Sequence, residues 1–151
     1  MRIGMVTQIW RYPVKSMGGE QLATAQVSER GIAGDRAFAL FDPATGHVAS
    51  AKHPRLWGRL LACRASGQAE EAARGAATGV RVTLPDGRVV LAGEPQAGAA
   101  LAALLGRPVA LSRRPPARAT IERYWPDIGG MLARDTVAAG AIGGGAPPGT
   151  F

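Results

Sequence analysis

Glycine and proline cut this chain into short pieces, and that punctuation constrains its fold more than any other feature. Residues 6–11 read as a short strand that ends at Tyr12-Pro13. Proline lacks the donor a ladder needs and restricts the residue before it, so a strand is expected to stop there. Residues 21–27 alternate weakly, with Leu22, Thr24 and Gln26 set against Ala23, Ala25 and Val27. Gly31-Ile32-Ala33-Gly34 then turns the chain into a better strand, residues 36–42. There Phe38 and Leu40 are expected on one face and Ala37, Ala39 and Phe41 on the other. Pro43-Ala44-Thr45-Gly46 is a turn in which proline presets φ and glycine supplies the positive φ. Residues 47–51 should return as the hairpin partner.

Further along, residues 55–63 are ambiguous between strand and short helix, and residues 66–79 (SGQAEEAARGAATG) lack an apolar face and read as a loop. A second hairpin is expected from residues 80–84 and 88–92 around Pro85-Asp86-Gly87. Pro95 can open a helix that carries Leu101, Leu104 and Leu105 at helical spacing and is capped by Gly106. Residues 109–112 supply one more strand. The composition then shifts: Arg113-Arg114-Pro115-Pro116 reads as a linker, and residues 117–151 carry no strong periodicity. The ending on Thr150-Phe151, just behind a glycine-rich stretch, reads as a chain cut inside a second domain. The fold class expected is mainly β with α+β character. It is a small antiparallel barrel-like unit over residues 1–112 with one or two short helices, followed by an irregular tail over 113–151.

With 151 residues the chain has room for about one domain. No apolar run of membrane-spanning length and no signal-peptide core occurs, so a cytoplasmic chain without membrane association is expected. A single cysteine, Cys63, excludes an internal disulfide framework. With only His47 and His53 beside it, no structural zinc set is available and no metal ligand is assigned. Cys63 reads as a small buried apolar residue, and Trp10 and Trp57 read as core. The net charge is +7, and of the 18 basic residues all but Lys15 and Lys52 are arginine. Such a balance admits anionic partners, although much of the arginine excess reads as compositional.

The most specific chemistry lies in Arg11-Tyr12-Pro13-Val14-Lys15-Ser16-Met17-Gly18-Gly19. A strand ends at a proline corner and presents an ammonium, a hydroxyl and two glycines whose backbone N–H groups can approach an oxyanion. That is the equipment of a phosphate pocket, though an ordinary solvated turn would use the same residues. Asp35 and Arg36 begin the next good strand. Alternation would put their side chains on opposite faces, leaving Arg36 free to fork onto a phosphate. No G-x-S-x-G elbow, P-loop or dinucleotide-binding glycine motif is present.

Taken together, residues 10–20 (WRYPVKSMGGE), 30–41 (RGIAGDRAFALF) and 49–56 (ASAKHPRL) resemble the N-terminal β-barrel domain of the MOSC family. These are the molybdenum-cofactor sulfurase C-terminal domain proteins, which include the amidoxime-reducing components. The tail residues Tyr124-Trp125-Pro126-Asp127, Arg134-Asp135 and 148–151 (PGTF) resemble the entry into the MOSC domain proper. The resemblance implies that Lys15, Ser16 and Arg36 bind the terminal phosphate of a molybdopterin. It also implies a parent activity of reducing N-hydroxylated compounds or transferring sulfur, with a separate electron-donor protein as a possible partner. In that family the cysteine that binds molybdenum follows the point where this chain stops, and Cys63 does not match its position. No catalytic residue is therefore assigned, and this chain alone is expected to be inactive. The competing reading is a small basic β-barrel that binds single-stranded nucleic acid. That mode wants aromatic platforms beside its charges, and the chain holds few.

Overall fold

The computed structural model describes residues 3–29, 31–67, 79–114 and 119–121. In chain order its strands begin with β1 (Ile9–Arg11), β2 (Glu20–Leu22), β3 (Val27–Ser28), β4 (Gly31–Ile32), β5 (Ala39–Phe41) and β6 (His47–Val48). A short helix α1 (Pro54–Trp57) runs directly into a 3-10 turn, Gly58–Ala62, which resolves the ambiguous stretch as helical. Then come β7 (Arg64–Ser66), β8 (Arg81–Thr83), β9 (Val89–Leu91), helix α2 (Pro95–Leu105), β10 (Ala110–Ser112) and β11 (Thr120–Ile121). The mainly β, α+β class expected from the sequence is the one observed. The strands form four small sheets that do not close on one another among the described residues.

Both expected hairpins form. β5 pairs antiparallel with β6 through Phe41 and Val48, and β8 with β9 through Val82 and Val90. Gly46 and Gly87 adopt the positive φ that those turns require, at 73° and 86°. Pro95 sits in the first turn of α2, where its missing N–H costs nothing. Gly106 ends the helix at φ 68°, its N–H donating to the Ala102 carbonyl at 2.9 Å. The four-stranded sheet has the order β10-β5-β6-β11, in which only β11 is parallel to its neighbour. The first described residues beyond the expected linker thus add to the sheet that β5 organises. Expected features at residues 68–78, 115–118 and 122–151, including Trp125 and the tail motifs, lie outside the described residues.

The core gathers Val14, Phe38, Leu40, Trp57, Leu60, Cys63, Val82 and Leu101, all buried. Each such aliphatic or aromatic side chain contributes roughly 1.5–3 kcal/mol when removed from water. Ala39, expected on the opposite face from Phe38 and Leu40, is buried as they are. β5 is a central strand with β10 on one side and β6 on the other, so burial there does not alternate. One sequence expectation fails here: Trp10, expected in the core, is 40% exposed. The inward position of β1 belongs to its neighbour Arg11, which is 3% exposed and stands opposite Glu20 in the β1–β2 register.

Arg11 and Glu20 form a buried ion pair that ties distant segments together. Glu20 Oε1 accepts from Arg11 Nε at 2.9 Å, from Arg11 Nη2 at 2.7 Å and from the Gly67 N–H at 2.8 Å. Arg11 Nη1 donates to the Ala33 carbonyl at 3.3 Å. The β1–β2 ribbon, the 31–34 turn and the end of β7 are thereby fastened to one ion pair.

Candidate functional site

Beyond Pro13 the chain does not leave the fold as a free corner. It runs alongside the start of β5 in a short parallel pairing. The Phe38 N–H donates to the Pro13 carbonyl at 3.0 Å, and the Lys15 N–H donates to the Phe38 carbonyl at 2.9 Å. One step earlier the Arg36 N–H donates to the Tyr12 carbonyl at 2.8 Å. On the far side, Ser16 Oγ accepts the Ala51 N–H at 3.0 Å. The three sequence blocks at 10–20, 30–41 and 49–56 therefore meet at one place. The backbones of Lys15, Ser16 and Arg36 lie on hydrogen-bonded neighbouring segments.

Ser16 and Arg36 share a second property. They are the two non-glycine residues with positive φ among the described residues, at 67° and 48°. That region costs an L-residue about 1–2 kcal/mol, and such outliers concentrate at binding sites. The Ser16 hydroxyl accepts one hydrogen bond and keeps its own proton to donate.

The expectation that Asp35 and Arg36 point to opposite faces is overturned. Arg36 Nη1 donates to Asp35 Oδ2 at 2.6 Å. Alternation holds only for extended backbone, and the left-handed Arg36 swings its side chain back to that of its neighbour. The side chain of Arg36 is nonetheless 51% exposed, so its remaining donors can reach a ligand in solution.

The Gly18-Gly19 pair plays a different part from the one read in the sequence. The Gly18 N–H donates to the Cys63 carbonyl at 2.9 Å and is not available to an anion. A Cβ on Gly19 would sit 2.3 Å from the Arg11 carbonyl oxygen and 2.7 Å from the Tyr12 ring. These glycines let strands and rings pack closely. The nearby Met17 N–H is likewise committed, to the Val14 carbonyl. Neither the Gly18 nor the Met17 N–H is therefore offered to an anion at this corner.

A separate open groove of about 580 Å³ is lined by Phe38, Leu91, Glu94, Pro95, Leu111 and Arg113 among others, and by none of Lys15, Ser16 and Arg36. Cys63 is 1% exposed in the core, and burial pushes its thiol pKa up, with the Asp86 carboxylate adding to the shift. It behaves as the small apolar residue expected. Among the described residues no cluster of three or more His, Cys, Asp and Glu could hold a metal ion, and no helix is long and apolar enough to cross a membrane.

The fold and this corner define a small β-rich domain that presents basic and hydroxyl side chains on a strained, cross-braced turn. The family model for the MOSC N-terminal beta barrel domain matches residues 3–93, and the chain belongs to that family. No curated protein and no solved structure matches it significantly.

Proposed function

We propose that this chain is the phosphate-holding part of a molybdenum-cofactor protein, with Lys15, Ser16 and Arg36 receiving the terminal phosphate of a molybdopterin. One observation carries the reading. The two non-glycine residues held at positive φ are Ser16 and Arg36, on segments braced against each other and against Ala51. A glycine at either position would relieve the strain, so the side chains themselves are what the geometry retains.

The residues present fit such a group. Arg36 offers a half-exposed fork that matches two phosphate oxygens, Lys15 adds a compact positive charge, and Ser16 retains a proton to donate. When bound, the cofactor supplies the metal and its two-electron chemistry, while the protein supplies binding and electrostatics. In this reading the metal-binding cysteine is not Cys63. A thiol buried in the same core as Leu60 and Trp57 stays neutral and out of reach.

The test is a titration of the purified protein with inorganic phosphate and with a pterin phosphate. Because Arg36 is half exposed, Arg36→Ala should lose about 1.5 kcal/mol, roughly tenfold, the low end for hydrogen bonds to charged groups. Arg36→Lys should restore part of it, since a point charge cannot reproduce a fork. Unchanged affinity in Arg36→Ala refutes the assignment.

A second reading has one observation in its favour. Trp10 and Tyr12, two residues apart and both 40% exposed, offer aromatic rings on which bases can stack. Binding to a single-stranded oligonucleotide that survives moderate salt, with a steep salt slope, would favour this nucleic-acid module.

A further inference from the structure

We infer that Asp35 is a positioning residue for this anion corner, holding the Arg36 guanidinium in place before a ligand arrives. The inference rests on the phosphate reading above and assigns the origin of its geometry.

Asp35 uses its two carboxylate oxygens for different tasks. Oδ1 accepts the Tyr12 N–H at 2.8 Å, and Oδ2 accepts Arg36 Nη1 at 2.6 Å. The Tyr12 peptide is gripped from both sides, because its carbonyl accepts the Arg36 N–H at 2.8 Å. The Asp35 N–H in turn donates to the Ile32 carbonyl at 3.0 Å, so the carboxylate is anchored to the 31–34 turn. The Asp35 side chain is only 19% exposed, whereas that of Arg36 is 51% exposed. A fixed, mostly covered anion therefore holds a cation that would otherwise sample many rotamers.

The pair is not an incidental surface contact. Neighbouring residues in extended backbone point apart, and these two meet because Arg36 is left-handed at φ 48°. Arg36 also keeps its Nε–Nη2 edge, whose parallel N–H groups match two oxygens of a phosphate. Ordering a long side chain on binding costs affinity, and a guanidinium already held by Asp35 avoids part of that loss. Removing the carboxylate also removes a repulsive charge from the site, so competition and positioning predict opposite changes in affinity.

Two variants separate positioning from folding. Asp35→Asn keeps an amide oxygen to accept the Tyr12 N–H but has no anion for Arg36. Asp35→Ala loses both contacts. The probe is inorganic phosphate, followed by amide and arginine Nε–Hε resonances, at low salt and at about 1 M NaCl, where the Debye length is roughly 3 Å. Asp35→Asn should keep the wild-type melting temperature. It should raise the phosphate Kd about fivefold at low salt, the upper range for an ordered exposed ion pair, and by less but still in the same direction at about 1 M NaCl. Its Arg36 Nε–Hε signal should collapse into the averaged arginine envelope. Asp35→Ala should show the same loss of binding and a lower melting temperature. Unchanged or tighter phosphate binding in Asp35→Asn overturns the positioning role and marks the carboxylate as a bystander or competitor. Arg36→Ala is the control: if it binds phosphate as well as wild type, the anion reading has failed, whatever Asp35 does.

Discussion

Replacing Glu20 with alanine should be among the most damaging single changes to this domain. The substitution leaves Arg11, whose side chain is 4% exposed, buried without its counter-ion. It also strands three donors that now converge on one oxygen: Arg11 Nε, Arg11 Nη2 and the Gly67 N–H. Breaking a fully buried pair costs about 3–5 kcal/mol. Glu20 itself is 16% exposed, so water can reach part of the vacated space. We therefore expect less than that, about 2–3 kcal/mol. Glu20→Gln keeps an acceptor for the three donors but loses the charge. Charge-assisted bonds are roughly twice as strong as neutral ones, so about half the alanine cost is expected. The double substitution Arg11→Met with Glu20→Leu should recover part of the loss, because an apolar pair leaves no buried charge and only the Gly67 N–H and the Ala33 carbonyl lose a partner. Urea denaturation measures all four proteins. With an m-value of about 1–3 kcal/mol/M, Glu20→Ala should move the midpoint by roughly 0.7–3 M. A cost below about 1 kcal/mol for Glu20→Ala, within the range of exposed pairs, would refute the reasoning. So would a double variant no more stable than the single one.

Arg36→Gly should be more stable than Arg36→Ala by about 1 kcal/mol in the same assay, because only glycine is unstrained at φ 48°; equal stability would mean that the positive φ carries no cost. Asp42 has its pKa held below the ordinary 3.8, first by the Ala44 N–H and also by Arg107, whose Nη2 lies 2.7 Å from the carboxylate. A carboxyl with a lowered folded pKa stabilises above its unfolded pKa and loses that contribution as pH falls through the folded one. Asp42→Asn should therefore be less stable than wild type at pH 7, with the gap closing below pH 3.8 as urea midpoints are followed downward. The buried Cys63 thiol, with its pKa raised, should react with a disulfide reagent at pH 8 only as fast as the protein opens, and rapidly in urea. Fast labelling of the folded protein would contradict its burial.

What the sequence disclosed were features settled by local chemistry. Gly46, Gly87 and Gly106 mark the two hairpin turns and the helix end, because the positive φ needed there is one that glycine adopts freely. Misreadings arose where tertiary context overrides periodicity. Trp10 looked like core because it is large and apolar, but the register of β1 turns Arg11 inward to Glu20. A hint was present in the sequence: an arginine at an inward strand position requires a buried partner, and Glu20 stands a short loop away. Nothing in the residue types announces that Ser16 and Arg36 are left-handed, since neither belongs to the residues that favour that region. The strand reading of residues 36–42 consequently separated the Asp35 and Arg36 side chains, which the fold joins at 2.6 Å. Gly18-Gly19 was legible as glycine that matters, but its reason is close packing against the Arg11 carbonyl.

The two strained residues differ in what their side chains do within the fold. Ser16 is partly explained by structure alone, because its oxygen accepts the Ala51 N–H and joins the 10–20 and 49–56 blocks. Arg36 has no such internal task beyond Asp35, and an exposed ion pair is worth at most about 1 kcal/mol. That sum does not exceed the roughly 1–2 kcal/mol that a left-handed arginine costs. The chain uses glycine freely, 21 times in 151 residues, and glycine at this position would remove the strain. An arginine where folding would favour glycine is the feature that supports the proposed anion site, since an anion is what a guanidinium fork fits.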